Sequence, residues 1–237
     1  MGKRIVVQRR GKGGLMYRSP SHRHYGQIKY PTEKNWEGRV EKLVRDPGHY
    51  APVAVVRMND ESNRNFIAHS GMFTGQKIRG GLDVPSGVGN TLPLGLIPDG
   101  STVFNVEVRP GSGGNIARTP GAYCTVVAHG ENVTLKLPSG KMRDIKPSCL
   151  ATIGVTGGGG RNSKPFLKAG KKIHAYSSRA KRPFSVRGIA MNAANHPHGG
   201  GNHQHVGRPS TVGRNTPPGR KVGRLSPRKK VKTNAGR

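Results

Sequence analysis

Carboxylates are scarce in this sequence, and at both ends they are missing. Asp144 is the last acid of 237 residues, and the 93 positions after it carry 20 Lys and Arg. Residues 1–30 carry eight Lys and Arg and again no acid. The middle, 31–144, holds all 11 acids and the other 13 bases, so it is nearly neutral inside a chain of formal charge +30. Cations without anions beside them repel, and such a chain calls for a polyanion, either nucleic acid or an anionic membrane surface. Long apolar runs are missing too. No stretch of about 18 apolar residues is there to cross a bilayer, and the basic start MGKRIVVQRRGKGG lacks the roughly 7–15-residue apolar stretch of a secretory leader. Nucleic acid is therefore the expected partner, with no membrane. Cysteine is limited to Cys124 and Cys149, in separate apolar stretches, which reads as two buried reduced thiols and not as a disulfide framework.

Apolar residues make up 32% and aromatics 5%, against 36 Gly and 18 Pro, too little to bury a core along the whole length. The expected organisation is a folded centre with two cationic arms. The centre reads as short strands. RVEKLVRD, HYAPVAVVRM and RNFIAHS form a first series, and STVFNVEV, AYCTVVAHG, NVTLKLPSG, KMRDI and SCLATIGV form a second. GEN (Gly130–Asn132) and PSG (Pro138–Gly140) read as tight hairpins, with Val133, Leu135 and Leu137 alternating inward. The Gly/Pro-rich connector from Gly80 to Gly100 shows no strong strand. This predicts two small antiparallel barrels joined near residue 90, of a size that commonly binds oligonucleotides, with one continuous sandwich as the alternative.

The arms lack sustained periodicity and are broken by Gly and Pro. Their Arg9, Arg10, Lys12, Arg18, His22, Arg23, Arg187, Arg208, Arg214, Arg220 and Lys221 are candidate phosphate contacts. Tyr17, Tyr25, Tyr30 and Phe184, interleaved with or near them, are candidate platforms for unpaired bases, a mixture that suits folded RNA better than duplex DNA. Two glycine-rich loops resemble phosphate cradles. RPGSGGNIAR has Arg109 and Arg118 flanking Gly113, and GGGGR ends at Arg161. Neither has the GxxxxGK[ST] arrangement of an NTPase, so the expectation is a backbone nest for RNA phosphate. A simple barrel loop explains GGGG equally well.

The densest chemistry is AMNAANHPHGGGNHQH, where His196, His198, His203 and His205 are spaced H-x-H-x4-H-x-H. No Cys, Asp or Glu lies near to complete a zinc site or orient a ring, and Pro197 with Gly199–Gly201 prevents a helix. The expectation is no metal and no enzyme. The loop, with Asn192, His196, His198, Gly199, Gly200 and Gly201, reads as a hydrogen-bonding surface for RNA, and His196 is the sole candidate for a catalytic role.

VRGIAMNAANHPHGGG (Val186–Gly201), LPLGLIPDGSTVFNVEVRPGSGGNIAR (Leu92–Arg118), RNTPPGRKVG (Arg214–Gly223) and the Arg18–Arg23 stretch together closely resemble the universal ribosomal protein two family of the large subunit. The resemblance covers nearly the whole chain and is closest to archaeal and eukaryotic-cytosolic members. It implies an all-β fold: a basic N-terminal extension over 1–35, an oligonucleotide-binding-like barrel over 36–90, a Src-homology-3-like barrel over 91–165 and an RNA-penetrating extension over 166–237. The implied role is a primary binder of large-subunit ribosomal RNA near the peptidyl-transferase region, supporting assembly and subunit association in the cytoplasmic ribosome. Implied partners are that RNA, neighbouring ribosomal proteins and the small subunit, with no small-molecule substrate and no cofactor beyond Mg2+ associated with the RNA. His196 matches a histidine suspected in that family of helping peptide transfer. Many relatives carry an acid just before it, where this chain has Asn195. An amide can fix a tautomer but cannot raise the imidazole pKa as a carboxylate does.

Overall fold

The computed structural model describes residues 2–227; the expected arm over 228–237 lies outside the described residues. Contacts divide the chain into one unit built from Pro20–Lys168 and another from the described parts of 1–19 and 169–237.

In the first unit ten strands follow the chain: β1 (Trp36–Val44), β2 (Val53–Met58), β3 (Asn63–Ile67), β4 (Lys77–Gly80), β5 (Thr91–Pro93), β6 (Thr102–Phe104), β7 (Cys124–His129), β8 (Val133–Lys136), β9 (Met142–Ile145) and β10 (Leu150–Ile153). They are joined by hydrogen bonds in the order β3-β2-β1-β4-β5-β10-β6-β7-β8-β9. Every pairing is antiparallel except β4 with β5, which meet through Gly80 and Thr91. The sheet encloses two cores. One holds Trp36, Val40, Val56, Phe66 and Ile78, the other Leu94, Val103, Phe104, Val126, Leu135 and Ile153. The architecture is all-β, an oligonucleotide-binding-like barrel followed by a Src-homology-3-like barrel.

The β7–β8 and β8–β9 hairpins form where alternation and turn residues place them. Val133 and Leu135 are buried and Leu137 half-buried, and Gly140 closes the second turn by donating to Leu137 O at 2.8 Å. β4 and β5 were not expected. Three or four residues with one or two apolar side chains leave no periodic signal, yet Leu92, Leu94 and Ile97 from the presumed connector are core residues. Close approach fixes Gly80: a Cβ there would enter the Trp36 indole, whose ring packs 5.0 Å from that of Phe66.

Buried polar groups tie the second barrel together. Tyr30, 7% exposed, donates its hydroxyl to the Asn105 carbonyl at 2.8 Å. Its oxygen must then accept from Thr152 Oγ1 at 2.7 Å, which in turn leaves Thr152 accepting from Thr91 Oγ1 at 3.0 Å. Burial drives the phenol pKa upward, so the donor stays protonated. Tyr30 is thus a core residue and not the base platform expected from the sequence. With Ile28 also buried, the cationic flank after Pro20 packs as part of the first unit, short of the arm boundary expected near 35.

Glu107 is 1% exposed, and among the described residues its hydrogen-bond donors are backbone N–H groups. Its Oε1 accepts the N–H of Gly113 at 2.7 Å, and its Oε2 accepts those of Gly111 at 3.2 Å and Leu150 at 3.1 Å. Three charge-assisted bonds offset desolvation and bind the Arg109–Arg118 loop to β10. Glu107→Gln turns one acceptor into a donor facing N–H groups. It should lower the unfolding free energy in urea by about 1–3 kcal/mol; an unchanged midpoint would show that this carboxylate does not hold the loop.

Candidate nucleic-acid interface

The second unit is assembled from sequence that carries 22 Lys and Arg and no acid. No internal ion pair can organise it, so neutral contacts do. The Lys3 N–H donates to Ala194 O at 2.7 Å, docking the N-terminus on the histidine loop. The short helix α1 (Val6–Arg9) follows, its entry fixed by Gln8 Oε1 accepting the Ile5 N–H at 2.9 Å. Helix α2 (Ala169–Ser177) falls inside the flank expected to be irregular. Its only strongly apolar side chain is Ile173, and Gly170 and four polar or charged residues dilute any stripe, which is why periodicity missed it. Two-residue strands β11 (Thr211–Val212) and β12 (Arg224–Leu225) pair in parallel and close the loop presenting Arg214, Arg220 and Lys221 to solvent.

The histidine loop is a set of interlocked turns. Asn192 O accepts from the N–H groups of Asn195 (2.9 Å) and His196 (3.2 Å), His196 O from Gly199 (2.9 Å), and Met191 O from Gly200 (3.0 Å). The His196 ring packs against Gly188, where any Cβ would collide with it, and 5.1 Å edge-on from the His198 ring. His196 Nδ1 accepts the His198 backbone N–H at 3.0 Å. That bond sets the neutral Nε2–H tautomer, and burial followed by the neighbouring His198 lowers the pKa. The backbone, not Asn195, thus supplies the partner for the ring. Among the described residues, no group of three or more His, Cys, Asp and Glu side chains is placed to hold a metal ion.

Asn192 and Asn195 line a cleft of about 420 Å³ together with Lys3, Arg4 and Arg9. Of these Arg9, Asn192 and Asn195 were singled out from sequence, Asn195 as a partner for the His196 ring. Lys3 and Arg4 join them only because the N-terminus docks on a loop some 190 positions away, a pairing that composition flags by its missing acids but cannot specify. Three cations and two amides suit phosphates on one wall and base edges or 2′-hydroxyls on the other. Arg187 Nη2 donates to Gln204 Oε1 at 3.0 Å, and Lys12, Arg18 and Arg208 are exposed. Gly200 and Gly201 take φ of +88° and +98°, which glycine tolerates.

Other candidates belong to the first unit. His22 and Arg23 sit in a 3-10 turn, and Arg161 stacks its guanidinium 3.9 Å over the Tyr50 ring. The RPGSGG loop corrects the expectation of an RNA phosphate nest, since the Gly111 and Gly113 N–H groups already serve Glu107. Arg118 is half-buried, donates to Gly114 O at 2.7 Å and Ile28 O at 3.4 Å, and has its pKa lowered by desolvation. Arg109 alone stays exposed.

Two small β-barrels joined to an acid-free unit that presents Lys, Arg and amides around a cleft define a class: basic proteins built to hold a nucleic-acid backbone. Comparison with known proteins narrows it. Residues 4–80 match the family described as Ribosomal Proteins L2, RNA binding N-terminal domain, and residues 87–221 the C-terminal domain of the same proteins. The chain is 53% identical over 234 residues to large ribosomal subunit protein uL2 of Picrophilus torridus, covering 98% of this chain and 99% of that one. It is 53% identical over 230 residues to the uL2 of Thermoplasma acidophilum (97% and 98% covered) and 46% over 236 to that of Methanothermobacter thermautotrophicus (97% and 98%). The chain belongs to the ribosomal protein L2 family.

Two outcomes follow from the geometry. Arg109→Ala should reduce the log–log salt slope of ribosomal RNA binding by about one with little change in melting temperature. Arg118→Ala should lower the melting temperature first, and the reverse assignment would refute the division of labour. Protonating His196 removes the acceptor for His198 N–H, so the loop's stability is present above the ordinary value of 6.5 and lost as pH falls through the lowered one. The His198 amide resonance should report that transition below 6.5, and His196→Asn, which keeps an acceptor in reach, should abolish it.

Proposed function

We propose that this protein is a structural constituent of the large ribosomal subunit, a primary binder of its ribosomal RNA near the peptidyl-transferase region that supports assembly, subunit association and translation in the cytoplasmic ribosome. The observation that carries the reading is charge segregation: the acid-free unit holds its shape by neutral bonds and leaves its cations exposed for an external polyanion. Family membership over nearly the whole length supplies the identity of that polyanion. Arg and Lys neutralise phosphates, amides and backbone groups meet base edges and 2′-hydroxyls, and the barrels provide a rigid base. Neighbouring ribosomal proteins and the small subunit are the expected protein contacts, and any Mg2+ comes with the RNA. His196 serves packing in this reading, because its Nδ1 lone pair is committed to the loop and its Nε2 carries a proton it cannot use as a base at neutral pH.

Reconstituting large subunits with the His196→Ala chain and scoring assembly and single-turnover peptide transfer separately tests both parts. Impaired assembly with a normal rate in assembled particles is expected. Normal assembly with a large loss of rate would replace this reading with direct participation of the histidine in the reaction.

A further inference from the structure

A second cleft in the unit formed by the chain ends, of about 410 Å³, has a different character. Arg10 and Tyr17 line it from the N-terminal segment, and Tyr176, Lys181 and Arg182 from the C-terminal one. The local backbone explains their convergence. Gly11, at φ +74°, turns the chain after α1. Beyond α2 the Arg179 N–H donates back to Tyr176 O at 3.0 Å, and Ala180 takes φ +52°, a left-handed value that residues with a Cβ avoid. Lys181 and Arg182 follow that turn directly, five and six positions after Tyr176. Ser19 Oγ donates to Ser178 O at 3.3 Å, pinning the segment that carries Tyr17 to the end of α2. Strained backbone held in place by its surroundings at the rim of a cleft is a recurrent property of ligand sites.

The chemistry of the walls is selective. Both tyrosines are half-buried, and no acid exists in this unit to neutralise the three cations. Tyrosine rings offer stacking faces that tolerate any base, while Arg and Lys follow a phosphodiester backbone. Three cations exceed what one phosphate needs, which favours a nucleotide within a polymer over a free mononucleotide. We infer that this cleft is a single-nucleotide site of the RNA interface: one unstacked base packs against Tyr17 and Tyr176, and Arg10, Lys181 and Arg182 hold the phosphates on either side of it. The inference rests on the ribosomal RNA reading above and adds to it a site that neither end of the chain can make alone.

The test uses the full chain and transcribed large-subunit ribosomal RNA. Tyr17→Leu and Tyr176→Leu should each weaken binding about tenfold without altering the salt slope, and the double variant should be little weaker than either single one. Tyr17→Phe and Tyr176→Phe should bind like the parent chain, since stacking needs the ring and not the hydroxyl. Arg182→Gln should instead lower the salt slope by about one. Should the Leu variants fail to fold, photo-cross-linking of the parent chain to 4-thiouridine-substituted RNA must place a link on Tyr17 or Tyr176. Parent-like affinity of the folded Leu variants, failure of Phe to restore binding, or no link to either tyrosine overturns the site. Loss of ribosomal RNA binding by the parent chain would instead bring down the wider reading, and this site with it.

Discussion

Like-charge repulsion within the unit formed by the chain ends is the constraint on which the rest of this structure depends. With no Asp or Glu in that sequence, no pair of side chains there can neutralise one another, and three kinds of neutral or induced contact take over. Backbone groups bond one another, as where Lys3 meets Ala194. A ring lies on a bare glycine, as His196 does on Gly188. Cations settle near aromatic faces, Lys172 lying 5.1 Å from the Phe184 centroid and 5.9 Å from that of Tyr176. None of these reduces the net charge, so the attraction for an external polyanion is left intact.

The acids are used in the other unit. Glu37 on β1 pairs with Lys77 (3.7 Å) and Arg79 (3.2 Å) on β4 at the surface, where such pairs contribute little beyond register. Glu107 works inside. A glycine-rich loop that looks made for phosphate is indeed wrapped around an anion, but the anion is the chain's own carboxylate. The same preference of backbone N–H groups for negative charge serves folding here and recognition elsewhere. A loop motif cannot say which without the position of the nearest buried acid.

That distinction also marks what the residues disclosed in advance. The β7–β8–β9 meander was legible because alternation and turn chemistry agree over a short local span. The strands at Lys77–Gly80 and Thr91–Pro93 were not, since their identity comes from the partners they bridge. Tyr17 and Tyr30 are the same residue type in the same basic flank, yet one lines a cationic cleft and the other donates a core hydrogen bond. Only the fold separates them. At the histidine loop, the residue types pointed to a hydrogen-bonding surface, whereas the tautomer of His196 depends on a backbone amide two positions on, and the cleft beside it on a terminus far away in sequence. Local pattern reveals elements, and long-range docking creates sites.

The two cysteines carry a consequence of their own. Both are buried in the second barrel, and burial pushes the Cys124 thiol up to about 11 and raises that of Cys149. With a pKa there, only about one Cys124 in ten thousand is thiolate at neutral pH, the form that reacts. Alkylation must therefore await an opening of the barrel, and its rate becomes a clock for that opening. The barrel thus carries an internal reporter of its own breathing that needs no engineered label.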